Sequence, residues 1–143
     1  MGSPKSINKF RLKTKNFGVA LMLSPVVTVS IFQKQPDPKT FSAGEVIFEE
    51  GQSGDNMYGI LEGEVDIVVN GKVVETIETG EVFGAGILVG VKNRNYTAIA
   101  KVDTKLGFLD EEGFLFAVQE TPMFAIQVMK SYSERLSRLQ RMV

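Results

Sequence analysis

At 143 residues, 43% of them hydrophobic, and with a net charge of −1, the chain is long enough to bury one core, and its composition is that of a globular domain rather than a disordered one. It contains no cysteine and no histidine, which removes disulfides, thiolate metal sites, the commonest metal ligand and the commonest general base. No catalytic residue, no metal and no resident cofactor are expected, the chain reads as a non-enzyme, and a cytoplasmic location is compatible with the missing cysteine.

Charge is distributed unevenly. Six of the 16 basic residues, Lys5, Lys9, Arg11, Lys13, Lys15 and Lys34, fall within the first 35 positions without an acid, leaving ten against 17 acidic residues in the body. Such a body repels a phosphate backbone, so no nucleic-acid partner is expected. The apolar run from Phe17 is interrupted by Ser24, Pro25, Thr28 and Ser30, too short and too polar for a membrane span, and no small-residue cleavage pattern follows it. Residues 1–24 read as an extension, disordered or a cloning remnant, ahead of a folded domain at 25–143.

From Pro25 onward, short apolar runs such as "PVVTVSIF", "AGEVIFEEG", "NMYGILEGEVDIVV" and "KVVETIETG" alternate with glycine turns, the rhythm of short antiparallel strands. Asn70-Gly71 is the strongest local signal, because both central residues of a type I′ hairpin turn need φ > 0. "YTAIAKV" and "TKLGFLD" add two more strands. The period then changes: Asp110 caps a short helix with Glu111 and Glu112 in its first turn, and Thr121-Pro122 opens a longer one. The fold class is mainly β with terminal helices (α+β), an antiparallel, jelly-roll-like β-roll over about 25–109 followed by helices over about 110–143.

On the last helix Ala125, Met129, Tyr132, Leu136, Leu139 and Val143 recur at heptad a/d spacing. Met129, Tyr132, Leu136 and Leu139 are the expected seam of a homodimer; the other reading lays this face on the chain's own roll. An unidentified protein partner is a third use of the same surface.

Between the strands lies "GEVFGAGILVGVKNRNYTAIAK". Gly84 and Gly86 let backbone N–H groups approach a ligand, and Arg94 supplies a planar fork matched to phosphate oxygens, with Asn95 and Thr97 as neutral donors. The bare pattern equally describes an edge turn with a solvated arginine. Neighbouring carboxylates such as Glu49-Glu50 and Glu111-Glu112 do not form an acid–base pair, since strand neighbours point to opposite faces and acids at a helix start compensate its dipole.

Taken together, "AGEVIFEEGQSGDNMYGILEGEVDIVV", "GEVFGAGILVGVKNRNYTAIA" and the proline-led terminal helix resemble the cyclic nucleotide-binding domain family over roughly Pro38 to Val143. A cupin-like barrel shares the rhythm but generally requires metal-binding histidines. The family's phosphate-binding cassette, F-G-E followed by R-x-A-[ST], corresponds to Phe83, Gly84, Ala85 and then Arg94, Asn95, Tyr96, Thr97. The resemblance implies that Gly84, Gly86, Ile87, Leu88, Arg94, Asn95 and Thr97 form the phosphate site, that the ribose contact is lost at Ala85, and that Leu139 and Gln140 lie near the base. It implies a small stand-alone sensory module that binds cyclic AMP or cyclic GMP weakly, or another small anion, and signals through the C-terminal helix. The alternative is a ligand-free roll, its pocket collapsed and Arg94 in solvent, that serves as an interaction or dimerisation module.

Overall fold

The computed structural model of the chain describes residues 25–35 and 37–142. The expected extension at 1–24 and the seam position at 143 lie outside the described residues. Helix α1 (Pro25–Gln33) precedes eight strands: β1 (Lys39–Phe41), β2 (Val46–Phe48), β3 (Met57–Glu62), β4 (Glu64–Val69), β5 (Lys72–Glu78), β6 (Val82–Phe83), β7 (Thr97–Ala100) and β8 (Thr104–Leu109). A 3-10 helix (Ala85–Val89) lies between β6 and β7, and helices α2 (Glu111–Glu120) and α3 (Met123–Gln140) close the chain. The strands pair antiparallel in two four-stranded sheets, ordered β1, β8, β3, β6 and β2, β7, β4, β5.

Strand β3 is buried at five of its six positions because its period-two alternation separates two cores rather than core and solvent. Tyr58 and Ile60 fill the roll together with Phe48, Val65 and Leu106. Met57 and Leu61, on the opposite face, pack against Phe32, Phe124 and Val128 from the helices. The β4–β5 hairpin turns at Asn70 and Gly71, with φ of 52° and 75°, as the dipeptide requires.

Pro25–Gln33, expected as a strand of the roll, is a helix. Its β-branched content suits a strand, but Thr28, Ile31 and Phe32, all buried, recur at i, i+3 and i+4 on one helical face. Tertiary burial decides the outcome. Gly59 and Gly107 face each other in register across β3 and β8, and the missing side chains leave a notch for the Phe32 ring, which also meets Phe124 edge-on at 5.9 Å.

Asp110 caps α2 as expected, its Oδ1 accepting the Gly113 N–H at 2.8 Å. At the start of α3, Pro122 stands at the cap without a side-chain bond, and the carbonyl oxygens of Thr121 and Pro122 accept the N–H groups of Phe124 and Ala125 instead. The buried face of α3 is Phe124, Gln127, Val128, Ser131 and Arg135, offset from the heptad seam. Met129 and Leu136 are each 57% exposed, whereas Tyr132 turns toward the roll.

Candidate functional site

Strand β6 ends at Phe83; Gly84 follows with a left-handed φ of 77° that suits glycine, and the 3-10 helix it opens stops at Gly90, with φ 101°. The chain then returns to Arg94, whose backbone is pinned to the loop before β3. Arg94 N–H donates to Gln52 O and Gly51 N–H donates to Arg94 O, both at 2.7 Å, beside a Ser53–Asn93 bridge. This places the side chain inside the roll, 6% exposed, which rules out a solvated arginine.

The guanidinium donates from Nη1 to Gly84 O at 2.8 Å and from Nη2 to Asn56 O at 2.6 Å. Its Cζ lies 4.2 Å from the Phe48 ring centroid and 5.9 Å from that of Tyr58, a cation–π arrangement strengthened by desolvation. Among the described residues Nε has no hydrogen-bond partner and no carboxylate pairs with Arg94. Two glycines make room for it, since a Cβ at Gly54 or Gly84 would lie 2.7 Å from a guanidinium nitrogen. Gly54 is a site residue that sequence reasoning missed, because its signal is steric and depends on contact with Arg94.

Two tyrosine hydroxyls complete the site. Tyr96 Oη accepts the Gly84 N–H at 2.7 Å, and Tyr132 Oη accepts the Ala85 N–H at 3.0 Å. Burial pushes the Tyr96 phenol up to about 12, with Tyr132 close by adding to the shift; burial also raises Tyr132. A cavity of about 170 Å³ is bordered by Gly84, Gly86, Ile87, Arg94, Asn95, Tyr96 and Tyr132, among others.

Of the residues expected at the phosphate, Gly84, Gly86, Ile87, Arg94 and Asn95 therefore come together. The Leu88 side chain does not join them; like the methyl group of Ala85 it turns toward the helical core. Thr97 also stands apart, its Oγ1 accepting the Glu50 N–H at 3.0 Å, because strand alternation puts it on the face opposite the buried Ala98. Leu139 and Gln140 are not part of the cavity wall, being about two helical turns beyond Tyr132.

Sequence reasoning also missed the clasp between α3 and the roll. Arg135 Nε pairs with Glu75 Oε1 at 3.1 Å, and its Nη1 donates to Val82 O. Arg138 reaches Glu75 Oε1 at 3.0 Å and Glu81 Oε2 at 3.5 Å. Lys130 and Glu134 form a local i,i+4 pair on the exposed side of α3, at 3.4 Å. The partners of Arg135 and Arg138 lie some 60 residues away in the sequence, so no local spacing announces them.

The raised Tyr96 value predicts an alkaline sensitivity. The unfolded phenol ionises near 10, whereas the folded one keeps its proton to about 12, so this contribution to stability is full below pH 10 and is lost as pH rises toward 12. Between pH 9 and pH 11.5 the unfolding free energy from urea titration is expected to fall by about 2 kcal/mol more in wild type than in Tyr96→Phe. An identical pH slope in the two proteins would contradict the assignment.

A β-roll with a glycine-led turn and a buried arginine facing a cavity defines a ligand-binding regulatory domain. The chain belongs to the cyclic nucleotide-binding domain family, whose model matches residues 38–121. Such domains are typically regulatory rather than catalytic. A structure from a cyclic-GMP-dependent signalling pathway that regulates bacterial phytopathogenesis is similar at 27% identity and TM-score 0.65, over 76% of this chain and 91% of that one. The Thermus thermophilus catabolite activator protein matches at 24% identity and TM-score 0.64, over 80% of this chain and 54% of that one. The Xanthomonas campestris regulator CLP, described as responsive to cyclic di-GMP, shares 17% identity with a TM-score of 0.72, over 81% of this chain and 61% of that one. This chain therefore spans about half of the activator's length. The last two likenesses show the fold alone. Among the described residues no helix is long and apolar enough to cross a membrane.

Proposed function

We propose that the chain is a sensory module that takes a small phosphate-bearing ligand, a weakly held cyclic nucleotide or another small anion, at the Arg94 cavity and relays occupancy through α3. The observation that carries this reading is Arg94 itself. A guanidinium that is 6% exposed and has no carboxylate partner among the described residues is only partly compensated by two carbonyls, since two of its five N–H groups make those bonds. Burying such a charge without an anion is costly, and a phosphate oxygen supplies the missing counter-charge. Membership of the family supports a nucleotide ligand, as does the 27% identical relative from a cyclic-GMP-dependent pathway.

Titrating cyclic AMP, cyclic GMP and inorganic phosphate into the protein in a calorimeter tests the reading. Saturable heat with at least one of them is expected; no heat with any at millimolar concentration would overturn it. A second reading, a dimer contact along α3, is favoured by the exposure of Met129 and Leu136, and the mass in solution checks it.

A further inference from the structure

Among the described residues, Tyr132 is the single contribution of α3 to the cavity wall. Its hydroxyl oxygen holds the Ala85 N–H at 3.0 Å across 47 positions of sequence, directly after Gly84, whose carbonyl oxygen accepts from Arg94. One helical turn on, Arg135 lies 4.7 Å from the Tyr132 ring centroid and binds both Val82 O and Glu75. The Arg135 and Glu75 side chains are 6% and 7% exposed, so their pair is shielded from solvent screening. Besides the apolar packing of Phe124 and Val128, helix α3 thus has two polar holds on the roll, Tyr132 at the turn beside Arg94 and the clasp at Glu75, Glu81 and Val82 O.

An N–H group makes one well-aligned bond at a time. We propose that a bound anion competes with Tyr132 for the Ala85 N–H, so that ligand binding and the docking of α3 oppose each other through this hydroxyl. The proposal rests on the Arg94 cavity being the ligand site. A charged oxygen binds an amide more strongly than a phenol oxygen does, so the guest displaces the hydroxyl and α3 loses one of its two polar holds. By linkage, ligand and docking weaken each other by one common factor, so weakening the other hold raises ligand affinity by up to that factor. Tyr132 is then a positioning residue. Glu75, which is not part of the cavity wall, is a remote lever on the same equilibrium.

The test titrates cyclic AMP, cyclic GMP and inorganic phosphate into wild type, Tyr132→Phe and Glu75→Gln. Tyr132→Phe keeps the ring and frees the amide; Glu75→Gln weakens the clasp and leaves the wall unchanged. Affinity is expected to rise about three- to tenfold in Tyr132→Phe and to rise in Glu75→Gln as well, while ligand speeds amide exchange along α3 in the wild type. If Glu75→Gln does not fold, Arg138→Gln loosens the same carboxylate from a more exposed position. Unchanged or weaker affinity in either the Tyr132 or the clasp variant overturns the proposal and leaves the ligand site standing. Absence of binding by wild type and all variants overturns the ligand site, and the proposal with it.

Discussion

Gly59→Ala is expected to cost about 3 kcal/mol of stability and to release α1 from the sheet. A Cβ at this position would lie 2.5 Å from Phe32 Cε2, and the ring cannot step aside, because the Cβ-sized space at Gly107, on the opposite strand, is already filled by Phe32 Cβ from α1. Phe32 is 1% exposed, so driving it out also forfeits the burial of an aromatic side chain, worth about 1.5 to 3 kcal/mol. The loss of backbone freedom in the unfolded chain that accompanies Gly→Ala returns only about 0.4 to 1 kcal/mol, so the clash wins. Urea unfolding measures the loss, and proteolysis near α1 reports the undocking. The diagnostic comparison is the double variant with Phe32→Ala, which removes the obstructing ring and is expected to be less destabilised than the two single changes summed. Simple additivity would show that Gly59 matters for a reason other than the Phe32 seat.

Arg94→Met is expected to lower anion affinity by more than 100-fold while reducing stability by only about 1 to 2 kcal/mol. Methionine keeps an apolar stem against the Phe48 ring, which Arg94 Cζ approaches to 4.2 Å. It leaves Gly84 O and Asn56 O without their donors, at about 1 to 3 kcal/mol each, but it also removes the desolvation penalty of a buried cation, and these terms largely offset one another. Binding has no such offset, since the fork is the chief source of positive charge at the cavity. Arg94→Lys separates charge from geometry: one ammonium on a flexible stem cannot reproduce a planar fork held between two carbonyls, so affinity is expected to fall here also, by about tenfold or more. Calorimetry on wild type and both variants, with urea midpoints alongside, checks the pair. Wild-type affinity in Arg94→Met would remove Arg94 from the site.

The architecture and the site are held by different forces. The Phe32 seat is a matter of volume, with an aromatic ring filling the space that two facing glycines leave open. The Arg94 site is a matter of charge and hydrogen-bond geometry, with stability partly given up to keep a cation out of water. Helix α3 joins them: Phe124 packs against Phe32, and Tyr132 reaches the turn beside Arg94.

Much of the fold was legible from short-range rules. Asn70-Gly71 fixed a hairpin because only a few residues tolerate two successive positive φ values, and Asp110 marked the start of α2 because a carboxylate three positions ahead of Gly113 satisfies a free N–H. The site was legible in part. The spacing of Gly84, Gly86 and Arg94 brought those residues together, whereas the side chains of Thr97 and Leu88 point away from the cavity, a distinction of one residue that composition does not carry.

What the chain determined by itself is therefore whatever depends on neighbours within a few positions: strand rhythm, turn conformation, helix starts, and the absence of thiol and imidazole chemistry. Contacts between residues far apart in sequence depended on the tertiary structure. Only the packed fold made "PVVTVSIF" a helix, because the notch that receives Phe32 is formed by glycines on two other strands. Only the packed fold brought Tyr132 to Ala85 and Arg135 to Glu75, 47 and 60 residues apart, because such pairs follow from how sheet and helix register against each other.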